Sequence, residues 1–91
     1  MPLKQTFGFL GAGRMATALA GGMVQADLVK GRQLVASDVV SKTLEAFAKA
    51  TGGKALKTNG EVLRKADVVI IAVKPHQVTN LLRDLASEAK S

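Results

Sequence analysis

The chain has 91 residues, 47% of them hydrophobic, which suits one domain with a single core. With no cysteine it has no disulfide, no thiolate nucleophile and no Cys-ligated metal, and its longest apolar run, Val68 to Val73, falls far short of a membrane span. The net charge of +6 raises an anionic partner, a nucleic acid or a phosphorylated cofactor, but the 13 basic residues are scattered, no run exceeds Arg64-Lys65, and no aromatic residues interleave them, so a solvated surface with a locally positive cofactor cleft is expected rather than nucleic-acid binding.

Met1-Pro2-Leu3-Lys4 leads straight into the first strand with no leader segment, and a soluble cytoplasmic protein is expected. Thr6 to Leu10 reads as that strand, and its unbroken hydrophobicity predicts burial on both faces, as in a parallel sheet. The chain then breaks on Gly11 and Gly13, and a helix is expected from about Arg14 to Ala26, with Met15, Leu19, Met23 and Ala26 along one side. Strand, G-x-G-x-x-A turn and helix together form a dinucleotide-binding fingerprint. Gly11 allows the tight turn, and Gly13 leaves room for a pyrophosphate to approach the backbone. Ala16, as small as the usual third glycine, lets the helix press against the strand. The free N–H groups of the helix's first turn then face the phosphates, aided by the helix dipole. A glycine-rich turn without a ligand is the competing reading, and the flanking strand and helix weigh against it.

Gly21 and Gly22 cost the first helix on the order of 1 kcal/mol each relative to Ala, which suggests close approach of another backbone. Asp27 to Arg32 is a polar connection punctuated by Gly31. Leu34-Val35-Ala36 forms the second strand, ending at Ser37-Asp38, and Ser41 is expected to cap a helix carrying Leu44, Phe47 and Ala48. Thr51-Gly52-Gly53 ends that helix. A short third strand is expected over Lys54 to Lys57. Thr58-Asn59-Gly60-Glu61 matches a capping box before a short helix with Val62, Leu63 and Ala66. Asp67 to Val73 is the most strand-like run. Pro75 stands at a first helical position, and Val78, Leu81, Leu82 and Leu85 continue with helical spacing before a frayed end at Ser87 to Ser91. The alternation of strand and helix predicts a doubly wound α/β domain over residues 1–91, with parallel strands in the order 3-2-1-4 and strand four at an edge.

Phe7-Gly8-Phe9-Leu10-Gly11-Ala12-Gly13-Arg14-Met15-Ala16, Ala36-Ser37-Asp38, the Asn59 turn and Ala66-Asp67-Val68-Val69-Ile70-Ile71-Ala72-Val73-Lys74-Pro75 occur together. In these motifs the chain resembles the N-terminal, Rossmann-type domain of the pyrroline-5-carboxylate reductases over about Thr6 to Leu85. The resemblance implies a reductase that passes hydride from NAD(P)H to the C=N bond of 1-pyrroline-5-carboxylate, the last step of proline biosynthesis. It also implies a fifth strand and a helical domain that makes the dimer and most of the substrate pocket. The chain stops at Ser91, before both, so it is expected to bind cofactor without catalysing the reaction, and to self-associate.

The resemblance places Leu10, Gly11, Ala12, Gly13, Arg14 and Met15 at the pyrophosphate. Arg14 sits where its charge opposes the helix dipole, so a phosphate neighbour competes with plain solvent exposure as its role. Ser37 and Asp38 end the second strand, where such folds meet the adenosine ribose. An Asp there favours NAD, whereas a Ser with a nearby cation such as Lys42 admits the 2′-phosphate of NADP. The reading leans to NADP over NAD, with Asp38 either a ribose contact or a loop and capping residue. Asn59 matches a contact near the adenosine half, or a turn residue before Gly60, or both. Ala72, Val73, Lys74 and Pro75 match the strand tail beside the crevice. His76 has no partner to orient it, and no set of residues with catalytic or metal-ligand spacing appears, so no catalytic residue is assigned. Two other readings stand beside this one: a stand-alone, non-catalytic dinucleotide-binding or regulatory module, and a basic nucleic-acid-binding protein.

Overall fold

A computed structural model describes residues 3–72 together with Arg83 and Ala86. Four parallel strands, β1 (Phe7–Leu10), β2 (Leu34–Ser37), β3 (Lys54–Ala55) and β4 (Val68–Ile71), lie in the order β3-β2-β1-β4. Three helices connect them: α1 (Arg14–Gln25), α2 (Ser41–Thr51) and α3 (Asn59–Lys65), with a short 3-10 turn at Gly31–Gln33. This is the order expected of a doubly wound, Rossmann-like sheet. The fourth helix expected after Pro75 lies outside the described residues.

The register explains the two layers. Phe7 pairs with Leu34 and Val68, and Phe9 with Ala36 and Ile70, so these side chains share one face. On that face Phe7, Phe9, Leu34 and Ala36 join Ala12 of the glycine turn, Ala16 and Ala20 of α1 and Phe47 of α2 in one core cluster, with Ile70 packed against it. Phe9 and Phe47 are fully buried, with ring centroids 5.5 Å apart and planes tilted by 54°. Each such ring contributes about 2–3 kcal/mol through burial. The opposite face carries Leu10 and Val35 against Leu56 and Val62, with Ala66 alongside. Helices thus lie on both faces, and β1 is buried throughout, as its composition predicts.

Several local expectations are corrected. Helix α1 does not seat Met15 and Leu19. Met15 is 78% exposed, while Ala16 and Ala20 are buried with Met23 and Val24 beside them. The helix presses close to the sheet through its small residues, and the larger apolar side chains are displaced outward. No close approach occurs at Gly21 or Gly22: a Cβ at either would meet nothing within 4 Å among the described residues. The glycine that does permit close packing is Gly8, whose added Cβ would lie 2.5 Å from Val62 Cγ1 and 2.7 Å from Ala66 Cβ. Glycine inside a strand marks such an approach, and here it lets α3 close on β1.

Ser41 is the first residue of α2 rather than its cap; Val40 takes that position without a side-chain cap, and Asp38 Oδ1 accepts the Val40 N–H at 2.9 Å. Gly52 ends α2 in the left-handed conformation (φ 77°), as expected. Strand β3 is shorter than predicted, although Leu56 N–H still donates to Ala36 O. The capping box at α3 is half formed. Thr58 Oγ1 accepts the Glu61 N–H at 3.1 Å, but the Glu61 carboxylate meets the Thr58 hydroxyl at 3.5 Å instead of its backbone N–H. Asp67 closes the other end of the sheet, accepting the Thr6 N–H while its own N–H and that of Val68 donate to Thr6 O. Strand β4 has β1 on one side and no described strand on the other, and Val68, Val69 and Ile71 are exposed.

Candidate cofactor-binding site

The carboxyl ends of β1, β2 and β4 and the segment after β3 meet at one edge of the sheet, where ligands lie in open α/β folds. Gly11 leaves β1 with φ 101°, a left-handed conformation that glycine adopts without steric cost. Its N–H donates to Ser37 O at 2.9 Å, tying the turn to the end of β2. Gly13 is the N-cap residue of α1, with φ −76° and ψ −163°. A Cβ there would meet nothing within 4 Å among the described residues. The space over Gly13 is therefore open, which is what a pyrophosphate approaching the backbone requires.

The first intrahelical bond of α1 runs from Thr17 N–H to Gly13 O. The N–H groups of Arg14, Met15 and Ala16 precede it and are the donors a helix leaves for an anion. No acidic residue stands in this first turn, and Arg14 is exposed there. Ala12 and Leu10 contribute differently. Leu10 is fully buried in the α3-side core, and its carbonyl accepts the Ala72 N–H at 2.8 Å. Ala12 is buried in the opposite core, and its N–H is bound by Asp38 Oδ2 at 2.7 Å.

Asp38 thus acts as a loop residue. Its two oxygens hold the Ala12 and Val40 N–H groups, fastening the glycine turn to the start of α2. Ser37 and Asn59, separated by 22 positions in sequence, come together: Ser37 Oγ donates to Asn59 Oδ1 at 2.5 Å. Ser37 is only 2% exposed and Asn59 is half-buried. Ala72 is half-buried and packs against the α1-side core. Val73, Lys74, Pro75 and His76 lie outside the described residues. Among the described residues, no group of three or more His, Cys, Asp or Glu side chains could hold a metal ion.

The sequence reading singled out neither Val39 nor Val40, which the structure leaves exposed at the same edge. Val39, next to Asp38 at the end of β2, is 88% exposed, and Val40 is exposed beside it. The signal was present as two adjacent apolar residues in an otherwise polar strand-to-helix connection.

Comparison with known proteins agrees with this geometry. The family model described as "NADP oxidoreductase coenzyme F420-dependent" matches residues 6–91. A pyrroline-5-carboxylate reductase of Methanosarcina acetivorans is 34% identical over 88 residues, 97% of this chain and 33% of that protein. Pyrroline-5-carboxylate reductase 3 of Mus musculus is 40% identical over 79 residues, 87% of this chain and 28% of that protein. Among solved structures, a pyrroline-5-carboxylate reductase from Coxiella burnetii superposes with a TM-score of 0.83 at 25% identity, covering 93% of this chain and 31% of that one. The Plasmodium falciparum pyrroline carboxylate reductase, solved with NADP bound, gives a TM-score of 0.77 at 26% identity, covering 97% of this chain and 31% of that one. The chain therefore spans about a third of the length of the curated relatives it matches. The resemblance read from the motifs is borne out, and the chain belongs to the family described as NADP oxidoreductase, coenzyme F420-dependent.

Proposed function

We propose that this chain is the NADP-binding domain of a cytoplasmic reductase that converts 1-pyrroline-5-carboxylate to proline. The observation that carries the reading is the glycine turn at the carboxyl edge of β1, with open space over Gly13 and the first turn of α1 beside it. Gly13, Arg14 and Met15 hold the pyrophosphate through backbone N–H groups, while Gly11, whose own N–H is taken by Ser37 O, shapes the turn and the Arg14 side chain adds positive charge. Asn59 faces the adenosine ribose, and exposed Val39 and Val40 offer an apolar ledge to the base. Ala72, directly after β4, borders the crevice on that side, and the resemblance adds Val73, Lys74 and Pro75 as cofactor contacts.

NADP is favoured over NAD because the one carboxylate at the end of β2 is turned to backbone N–H groups rather than left free for ribose hydroxyls. The relative solved with NADP supports the same choice. Bound NADPH supplies hydride to the imine carbon, and a proton is taken up at nitrogen. The residues that orient the imine belong to the remaining two thirds of the relatives' length, in a helical domain that also forms the dimer.

Titration of the chain with NADPH, NADH and duplex DNA at two salt concentrations tests this reading. Saturable binding of NADPH, weaker binding of NADH and no salt-sensitive DNA binding are expected. Binding of DNA alone would overturn it in favour of a basic nucleic-acid-binding protein.

A further inference from the structure

The Ser37–Asn59 pair supports more than a list of contacts. Ser37 ends β2, in register with Leu10, and its carbonyl already holds the Gly11 N–H of the glycine turn. Its hydroxyl lies 2.5 Å from Asn59 Oδ1, an atom that can only accept, so the hydroxyl donates. That bond fixes which way the Asn59 amide faces. It leaves Nδ2, which has two protons and no acceptor among the described residues, as the polar group Asn59 has to offer. Ser37 itself is 2% exposed, and its one hydroxyl proton is committed. A side chain so placed is badly sited to touch a ligand and well sited to orient a neighbour that does.

We infer that Ser37 is a positioning residue for cofactor selectivity: it orients the Asn59 amide so that Nδ2 donates to the substituent on the 2′-oxygen of the adenosine ribose. The inference rests on the dinucleotide reading given above. A donor aimed at an anionic phosphate oxygen forms a charge-assisted bond, stronger than one to a neutral hydroxyl. Loss of the orienting bond therefore weakens NADPH more than NADH, by about ten-fold for one charge-assisted contact.

The test is a set of NADPH and NADH dissociation constants, with circular dichroism spectra, for the wild-type chain, Ser37→Ala, Asn59→Ala, the double variant and Asn59→Asp. Ser37→Ala is expected to weaken NADPH about ten-fold while NADH changes by less than about three-fold. The double variant should bind no more weakly than Asn59→Ala, because Ser37 acts through Asn59 alone. Asn59→Asp keeps the acceptor for the Ser37 hydroxyl, removes both donors and adds a negative charge, so it should lose NADPH selectivity with its fold intact; selectivity that survives this change rules out the Asn59 contact even should Ser37→Ala not fold. An unchanged ratio of NADPH to NADH affinity in Ser37→Ala or Asn59→Asp overturns the inference. A second full loss in the double variant does so too, since Ser37 would then contact the ligand independently. A wild-type chain that binds neither dinucleotide overturns the cofactor reading itself, and the inference with it.

Discussion

Asp38 Oδ2 accepts the backbone N–H of Ala12 at 2.7 Å, linking two residues 26 positions apart. Its other oxygen accepts the Val40 N–H at 2.9 Å, so one carboxylate joins the glycine turn after β1 to the start of α2. Asp38→Ala leaves both N–H groups without their acceptor, and Ala12 is buried. The expected cost is about 2 kcal/mol of stability. Asp38→Asn retains one acceptor oxygen and should cost about half as much. Urea denaturation checks this: both midpoints should fall with the slope unchanged, Asp38→Ala further than Asp38→Asn.

A second prediction concerns Gly8. A methyl group there would lie 2.5 Å from Val62 Cγ1, closer than real contacts allow, so Gly8→Ala should push α3 off β1 and destabilise the chain by about 1–3 kcal/mol. Val62→Ala alone should also destabilise, through the cavity it leaves. Combined, the two changes should cost less than their sum, because each relieves the other. Additive midpoint shifts in the four-member cycle would show that Gly8 and Val62 do not share this contact.

The contrast between these residues shows what the sequence made legible. Strand order followed from the alternation of elements and the handedness of crossovers, both insensitive to detail. The turn at Gly11 and Gly13 was legible because only glycine meets its two demands, a left-handed φ and open space beside the backbone. Faces were harder to read. Hydropathy pointed to Met15 and Leu19; Ala16 was legible from the turn motif and is buried, whereas Ala20, buried one turn on, carried no such signal. Gly8 was hidden because its role depends on Val62 and Ala66, which reach it only through the tertiary fold. Asp38, Ser37 and Asn59 were each expected at the site, but the bonds that tie them to Ala12 and to each other join distant segments and leave no local signature.

A third prediction follows from β4. It pairs with β1 on one side, has no described strand on the other, and exposes Val68, Val69 and Ile71. Apolar strand edges of this kind pair with other chains. The chain should therefore self-associate as its concentration rises, and Ile71→Lys should shift sedimentation toward the monomer. Sedimentation of the wild-type chain as a monomer at every concentration would count against this edge as a docking surface.

Activity gives a fourth. Supplied with 1-pyrroline-5-carboxylate and NADPH, the chain alone should show no imine-dependent fall in NADPH absorbance. Fusion to the C-terminal two thirds of a relative should restore turnover. Turnover by the unfused chain would place the substrate pocket within residues 1–91 and contradict the division of labour proposed above.

The central claim is that the glycine turn after β1 holds a dinucleotide, and Gly13→Val tests it most directly. Gly13 has an extended backbone (φ −76°, ψ −163°) and no heavy atom of the described residues within 4 Å of an added Cβ, so a side chain there is expected to leave the fold intact. It fills the space reserved for the pyrophosphate. In a fluorescence titration with NADPH, the wild-type chain should saturate and Gly13→Val should show no binding, with matching circular dichroism spectra. A folded Gly13→Val chain that binds NADPH as tightly as the wild type would show that the turn only connects a strand to a helix.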